Sequence, residues 1–143
     1  MQLDMIINGG WWVWARLYRR EYLFVCDTSF LIALVEKKLF GQMIERYRPL
    51  KLLIPESVMQ EISRFPRSGG KYMKIKALYK MMEIHKDLFK TVPSKSFKPD
   101  KDVLEVAKEV DGIVATCDGE VRRRAKESGL KTMFILDSKL YIN

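Results

Sequence analysis

Tyr22-Leu23-Phe24-Val25-Cys26-Asp27-Thr28-Ser29-Phe30-Leu31 runs from five apolar or aromatic residues into a carboxylate and two hydroxyls, and from there into a helical pattern. A run that is apolar at every position, with no polar alternation, suits a strand covered on both faces, as strands of a parallel sheet are. Parallel neighbours need a crossover, and a helix starting near Phe30 supplies it. Asp27 therefore stands where a strand hands over to a helix. That is an N-cap position, and in an open parallel sheet it is also the side on which ligands bind.

Working outward, further β-type runs fall at residues 52–54, 90–92, 113–116 and 132–136, giving five strands with residues 22–26. Helical patterns lie between them, over residues 30–38, 41–47, 57–65, 72–89, 101–110 and 120–128. This alternation predicts a three-layer α/β/α domain around a central, mainly parallel five-stranded sheet. Ser57, followed three residues later by Gln60, has the pattern of a capping box. Gly129, after Arg122, Arg123, Arg124 and Lys126, marks a helix stop. Residues 66–70 and 93–99 read as loops.

The chain has 143 residues, 26 Lys and Arg against 18 Asp and Glu, one His and two Cys. That length buries enough surface for a core without covalent staples, and the apolar content excludes disorder as the dominant state. Two cysteines do not make a disulfide scaffold, so Cys26 and Cys117 are expected as buried, reduced thiols. The formal charge of +8 favours a polyanion as partner, nucleic acid before membrane. Near the amino terminus, Arg16, Arg19 and Arg20 follow the apolar residues instead of preceding them, the wrong polarity for a signal peptide. No apolar run there nears the ~20 residues of a membrane span, so a cytoplasmic protein with no membrane partner is expected.

Residues 1–20 read as an aromatic extension, and residues 21–143 as the domain proper. Asn8-Gly9-Gly10 has the composition of a tight turn. Trp11, Trp12 and Trp14 either cap the core or form a homodimer or partner surface.

Four acids stand at comparable boundaries. Asp27 ends the first strand, Glu61 lies one turn into the helix after residues 52–54, Asp100 opens the helix carrying Val103 and Ala107, and Asp118 follows the strand ending near Thr116. Taken singly, an Asp before a helix is more often a cap, and a helical Glu more often a solvated residue. Taken together and in order, Val25-Cys26-Asp27-Thr28-Ser29-Phe30-Leu31, Ile54-Pro55-Glu56-Ser57-Val58-Met59-Gln60-Glu61, Pro99-Asp100 and Val114-Ala115-Thr116-Cys117-Asp118 resemble the motifs of PIN-domain nucleases, of the small archaeal, ribosomal-RNA-processing or toxin-like type. The resemblance covers the chain from about Tyr22 onward. It implies that Asp27, Glu61, Asp100 and Asp118 are catalytic metal ligands, with Thr28, Ser29 and Thr116 steadying them. Cys117 departs from the usual Asn or Arg, and Lys101 stands where a second Asp is frequent. Asp102 lies close to Asp100 and is a candidate substitute for that second acid, although two positions further along a helix it points another way.

Carboxylates converging on one cleft repel one another unless a cation intervenes, and an all-oxygen set selects a hard ion, Mg²⁺ or Mn²⁺. Such an ion lowers the pKa of an attacking water and neutralises charge on a phosphodiester. The resemblance thus implies a metal-dependent endoribonuclease. The alternative is a catalytically inactive module that binds RNA or protein on the same fold. RNA, single-stranded or structured, is the expected partner, and an antitoxin or a ribosome-assembly factor a further one; the Val121-Arg122-Arg123-Arg124 run looks more like the processing type.

An acidic centre repels RNA, so bases around it are expected to hold the strand: Arg64, Arg67 and Lys71 after Glu61, and Arg122, Arg123 and Arg124 after Asp118. For each of them a solvated helix face is an equally good reading. Tyr72 and Phe97 offer rings for stacking, whereas Tyr79 falls at a core-like helical spacing. Met73, Met81 and Met82 read as gap-filling core residues, and His85 as a surface or capping histidine.

Overall fold

The computed structural model describes residues 21–143. The turn at residues 8–10, the three tryptophans and the division after residue 20 lie outside the described residues.

The strand at Tyr22–Cys26 forms as expected and is β1. It leads into α1 (Thr28–Glu36), then α2 (Phe40–Arg46), β2 (Leu50–Pro55), α3 (Glu56–Ser63) and α4 (Gly70–Ile84). The chain continues through β3 (Phe89–Val92), α5 (Pro99–Val110), β4 (Ile113–Ala115), α6 (Gly119–Glu127), β5 (Thr132–Leu136) and β6 (Lys139–Ile142). The six strands form one sheet ordered β3-β2-β1-β4-β5-β6, parallel except for β6, which returns antiparallel along β5. Leu23, Phe24, Val25 and Cys26 are all buried, as are Leu52, Leu53 and Ile54 of β2. Consecutive strand residues face opposite sides, so both faces of the central strands are covered and the α/β/α layering follows.

Strand order explains where a ligand would sit. After β1 the chain builds outward through β2 and β3, and then crosses back to lay β4 against the other side of β1. The carboxyl ends of β1 and β4 are therefore neighbours at a topological switch point, where loops diverge and leave a crevice. Register sets Cys26 beside Ala115, and the Asp27 N–H donates to the Ala115 carbonyl at 3.1 Å. Asp27 emerges one residue and Asp118 three residues beyond that pairing, on the same edge.

Several expectations are corrected. The sheet has six strands, not five, because Asp137 and Ser138 both take positive φ (49° and 58°) and close a two-residue hairpin. Asp-Ser lacks the glycine that usually announces such a turn. Ser57 is not an N-cap: α3 starts at Glu56 behind Pro55, and the Ser57 hydroxyl donates to Asp102 instead. α4 ends at Ile84, so the helix expected over residues 72–89 is shorter at its end, and Phe89 belongs to β3. His85 is the C-cap residue of α4, its ring edge-on to Phe40. Met73 and Tyr79 are exposed instead of core, while Met81 and Met82 pack partly against the core. Cys26 is buried but Cys117 is exposed, and both are free thiols. Gly129 does end α6, at φ +77°, with the Leu130 N–H reaching back to the Ala125 carbonyl at 2.9 Å.

Candidate functional site

Asp27 is 4% exposed and accepts three hydrogen bonds. The Phe30 N–H reaches its Oδ1 at 2.9 Å, which makes it the N-cap of α1, and the Ser29 hydroxyl donates to the same oxygen at 2.8 Å. The Thr116 hydroxyl donates to Oδ2. Both hydroxyls are bridges, because Ser29 Oγ also accepts from the Cys117 N–H at 3.0 Å and Thr116 Oγ1 from the Asp118 N–H at 2.9 Å. The end of β1 is thus tied to the turn after β4 by two side chains. Capping and site-building are one arrangement here, since the bonds that cap α1 also fix where the carboxylate lies.

Asp118 caps α6, accepting from the Glu120 and Val121 N–H groups at 2.8 and 3.2 Å, and both bonds fall on Oδ1. Glu61 approaches from α3, where the Thr28 hydroxyl donates to its Oε1. Asp100 occupies the first turn of α5, after Pro99. These four carboxylates line a single open cleft of about 260 Å³, together with Thr28, Ser29 and Lys71 and two apolar walls, Ile32 and Phe65. The apolar walls were not legible as site residues, since Phe65 reads as an ordinary apolar position at the end of a helical pattern.

The electrostatics record the crowding. Burial pushes the Asp27 carboxyl above the usual carboxylate range, with Asp100 adding repulsion and the three hydrogen bonds pulling the other way. Asp100 is also raised, first by partial burial and then by the charges of Asp118 and Glu61, against a weaker pull from Arg124. Partial desolvation at the cleft edge, and then the Asp27 charge, lift the Cys117 thiol to about 11 although the residue is exposed overall, so it is a poor nucleophile at neutral pH.

Among the described residues no three carboxylate, imidazole or thiol groups make a ready-made metal cage. A small hard ion does not require one: Mg²⁺ is held by one or two carboxylates and keeps several waters. The donor set fits such an ion. It is entirely oxygen, its mutual repulsion is only partly offset by Arg124, and the hydrogen bonds to Glu61 and Asp118 each occupy one oxygen of the carboxylate.

Asp102 does point elsewhere. It is fully buried on the other side of α5, accepts from the Ser57 hydroxyl at 2.5 Å, and receives the Lys95 and Ser96 N–H groups at 2.6 and 3.3 Å. It anchors the loop that leads into α5, and so fixes the start of the helix that carries Asp100.

The basic residues divide. Lys71 lines the acidic cleft, its ammonium 4.6 Å from the Phe65 ring centroid. Arg64 and Arg67 are exposed, Arg67 beside a neighbouring groove. Arg123 is committed to Glu120 and Glu127, Arg124 to Glu120 at 3.2 Å, and Arg122 lies 3.7 Å over the Phe134 ring. The arginine run of α6 is thus largely engaged on its own surface.

A family model described as a PIN domain matches residues 23–137. Among solved structures the chain is similar to a domain of a functionally unknown protein from Methanocaldococcus jannaschii, with a TM-score of 0.61 and 22% identity, over 85% of this chain and 96% of that one. No curated protein matches the sequence. No helix among the described residues is long and apolar enough to cross a membrane.

Proposed function

The chain belongs to the PIN-domain family, whose members are generally nucleases, and on that premise we propose that it is a Mg²⁺- or Mn²⁺-dependent endoribonuclease. The observation that supports this most is the convergence of Asp27, Glu61, Asp100 and Asp118, from four separate segments, on one cleft at the switch point of the sheet.

Asp100, Asp118 and Glu61 would hold the ion through their available oxygens, with Asp27 behind them as the fixed charge. Bound there, the ion supplies a water of lowered pKa and neutralises charge developing on the phosphate. The protein's share is position. Thr116 and Ser29 keep Asp27 and the Asp118 turn in register, Thr28 orients Glu61, and Asp102 fixes the start of the Asp100 helix. Lys71, which lines the same cleft, would meet a phosphate and offset the repulsion that four acids exert on an RNA strand.

Asp118→Asn tests this without confounding it with folding. Asn caps a helix about as well as Asp, so stability should stay within about 0.5 kcal/mol of wild type. Cleavage of single-stranded RNA in Mn²⁺ should fall by at least about a hundredfold, in line with losing a positioned metal ligand. Unchanged cleavage in this variant refutes the assignment. Wild-type protein that binds RNA but never cuts it in Mg²⁺ or Mn²⁺ favours the inactive binding module.

A further inference from the structure

A second groove of about 290 Å³ lies beside the acidic cleft. One wall is the stripe Tyr72, Ile75, Lys76 and Tyr79 of α4, spaced i, i+3, i+4 and i+7 and so on one helix face. The other is Ile62 in the last turn of α3 and Phe65 just beyond it, and Arg67 lies in the loop that follows. Phe65 lines both cavities, so the groove adjoins the acidic cleft across that ring. Its floor is apolar, with Ile62 and Ile75 buried, while Tyr79 is 40% exposed. Its rim is cationic: Lys76 lies 5.6 Å over the Tyr72 ring and Lys71 over Phe65 at the junction.

We propose that this groove is a subsite for an unpaired nucleotide of the RNA strand whose phosphodiester lies in the acidic cleft. The proposal rests on the nuclease reading above and adds which residues of this chain receive a base beside the cleft. An aromatic wall flanked by Arg and Lys is the chemistry of single-strand binding, with the base stacked on the ring and the adjoining phosphates met by cations. The acids of the neighbouring cleft repel a strand, and the cations of this rim offset that repulsion beside it. A base reaches the floor only when splayed out of a helix, so a duplex, whose bases are stacked and paired, gains nothing from the rings.

Binding of a labelled single-stranded oligoribonucleotide, and of a duplex of the same length, is to be measured by fluorescence anisotropy in EDTA, with no divalent ion present. Tyr79→Ala should weaken the single strand about tenfold, the usual scale of one base–aromatic stack, and leave the duplex unchanged. Arg67→Ala should weaken it and flatten its salt dependence by about one ion. Tyr141→Ala, which removes an equally exposed tyrosine from β6 at the far edge of the sheet, should change neither. Equal losses for single strand and duplex in Tyr79→Ala, or no loss in either variant, overturn the proposal; the second result leaves the groove to a protein partner. Because metal is absent, the result is independent of cleavage: a failed Asp118→Asn test with an intact Tyr79 effect removes the metal reading alone, and the converse removes the subsite alone.

Discussion

Asp100 is the acid on which the proposed ion bears most directly: among the described residues no hydrogen bond holds it, and partial burial, then the charges of Asp118 and Glu61, raise its pKa. In the metal-free protein, Asp100→Asn is expected to raise stability slightly. The gain should be well under about 1 kcal/mol, because the group is mostly exposed and screened. The same substitution should abolish most of the rise in thermal midpoint that Mg²⁺ or Mn²⁺ gives the wild type. The pH dependence follows from the raised pKa values of Asp27 and Asp100. Below the ordinary carboxylate range both folded and unfolded chains are protonated at these groups. As pH rises from there to the elevated folded values, the unfolded chain ionises first and is favoured, so metal-free stability falls across that window and levels off above it. Thermal melts in EDTA at stepped pH read this directly, and a saturating divalent ion should flatten or invert the slope. From sequence alone Asp27 and Asp118 were ambiguous between cap and ligand, and the structure shows why: each is a cap whose remaining environment faces the cleft. Asp102 could not be assigned a role from spacing, because its partners Ser57 and the Lys95–Ser96 backbone come from other segments.

Among the elements, the handover from strand to helix was legible wherever composition changed sharply. β1 and β5 fall where their apolar runs place them. The misses have local causes. β6 was hidden because its turn uses Asp137 and Ser138 in left-handed conformations that other residues signal better. The end of α4 was overrun because the residues after Ile84 keep a helical composition while the chain turns at His85 toward β3. One element boundary depends on a single missing side chain. Gly112, between α5 and β4, sits where an added Cβ would lie 2.9 Å from the Leu23 carbonyl oxygen and 3.0 Å from a Val110 methyl. Since β4 must pair with β1 to align Asp118 with Asp27, Gly112→Ala should cost about 1–3 kcal/mol through overpacking. Urea unfolding should show a lower midpoint with an unchanged slope, and metal-dependent cleavage should fall with it.

For the whole molecule, a charge of +8 suggests a simple polyanion-binding surface, yet the structure separates the signs. Acids gather at the switch point, lysines and arginines line the rim and the adjoining aromatic groove, and part of the basic excess is spent in ion pairs along α6. Composition pointed to a polyanion as partner, but it did not reveal that Arg123 and Arg124 pair with acids on their own helix while Lys71 lines the cleft. Such an arrangement places an attracting surface next to a repelling one, and the proposed cation in the cleft would reconcile the two. Crystals grown with Mn²⁺ and measured for its anomalous scattering test that claim most directly. The account predicts a peak within about 2.0–2.2 Å of carboxylate oxygens from at least two of Asp100, Asp118 and Glu61, typical of a hard ion with oxygen ligands. The absence of a peak there at saturating Mn²⁺, with the four side chains ordered around the cleft, would contradict it.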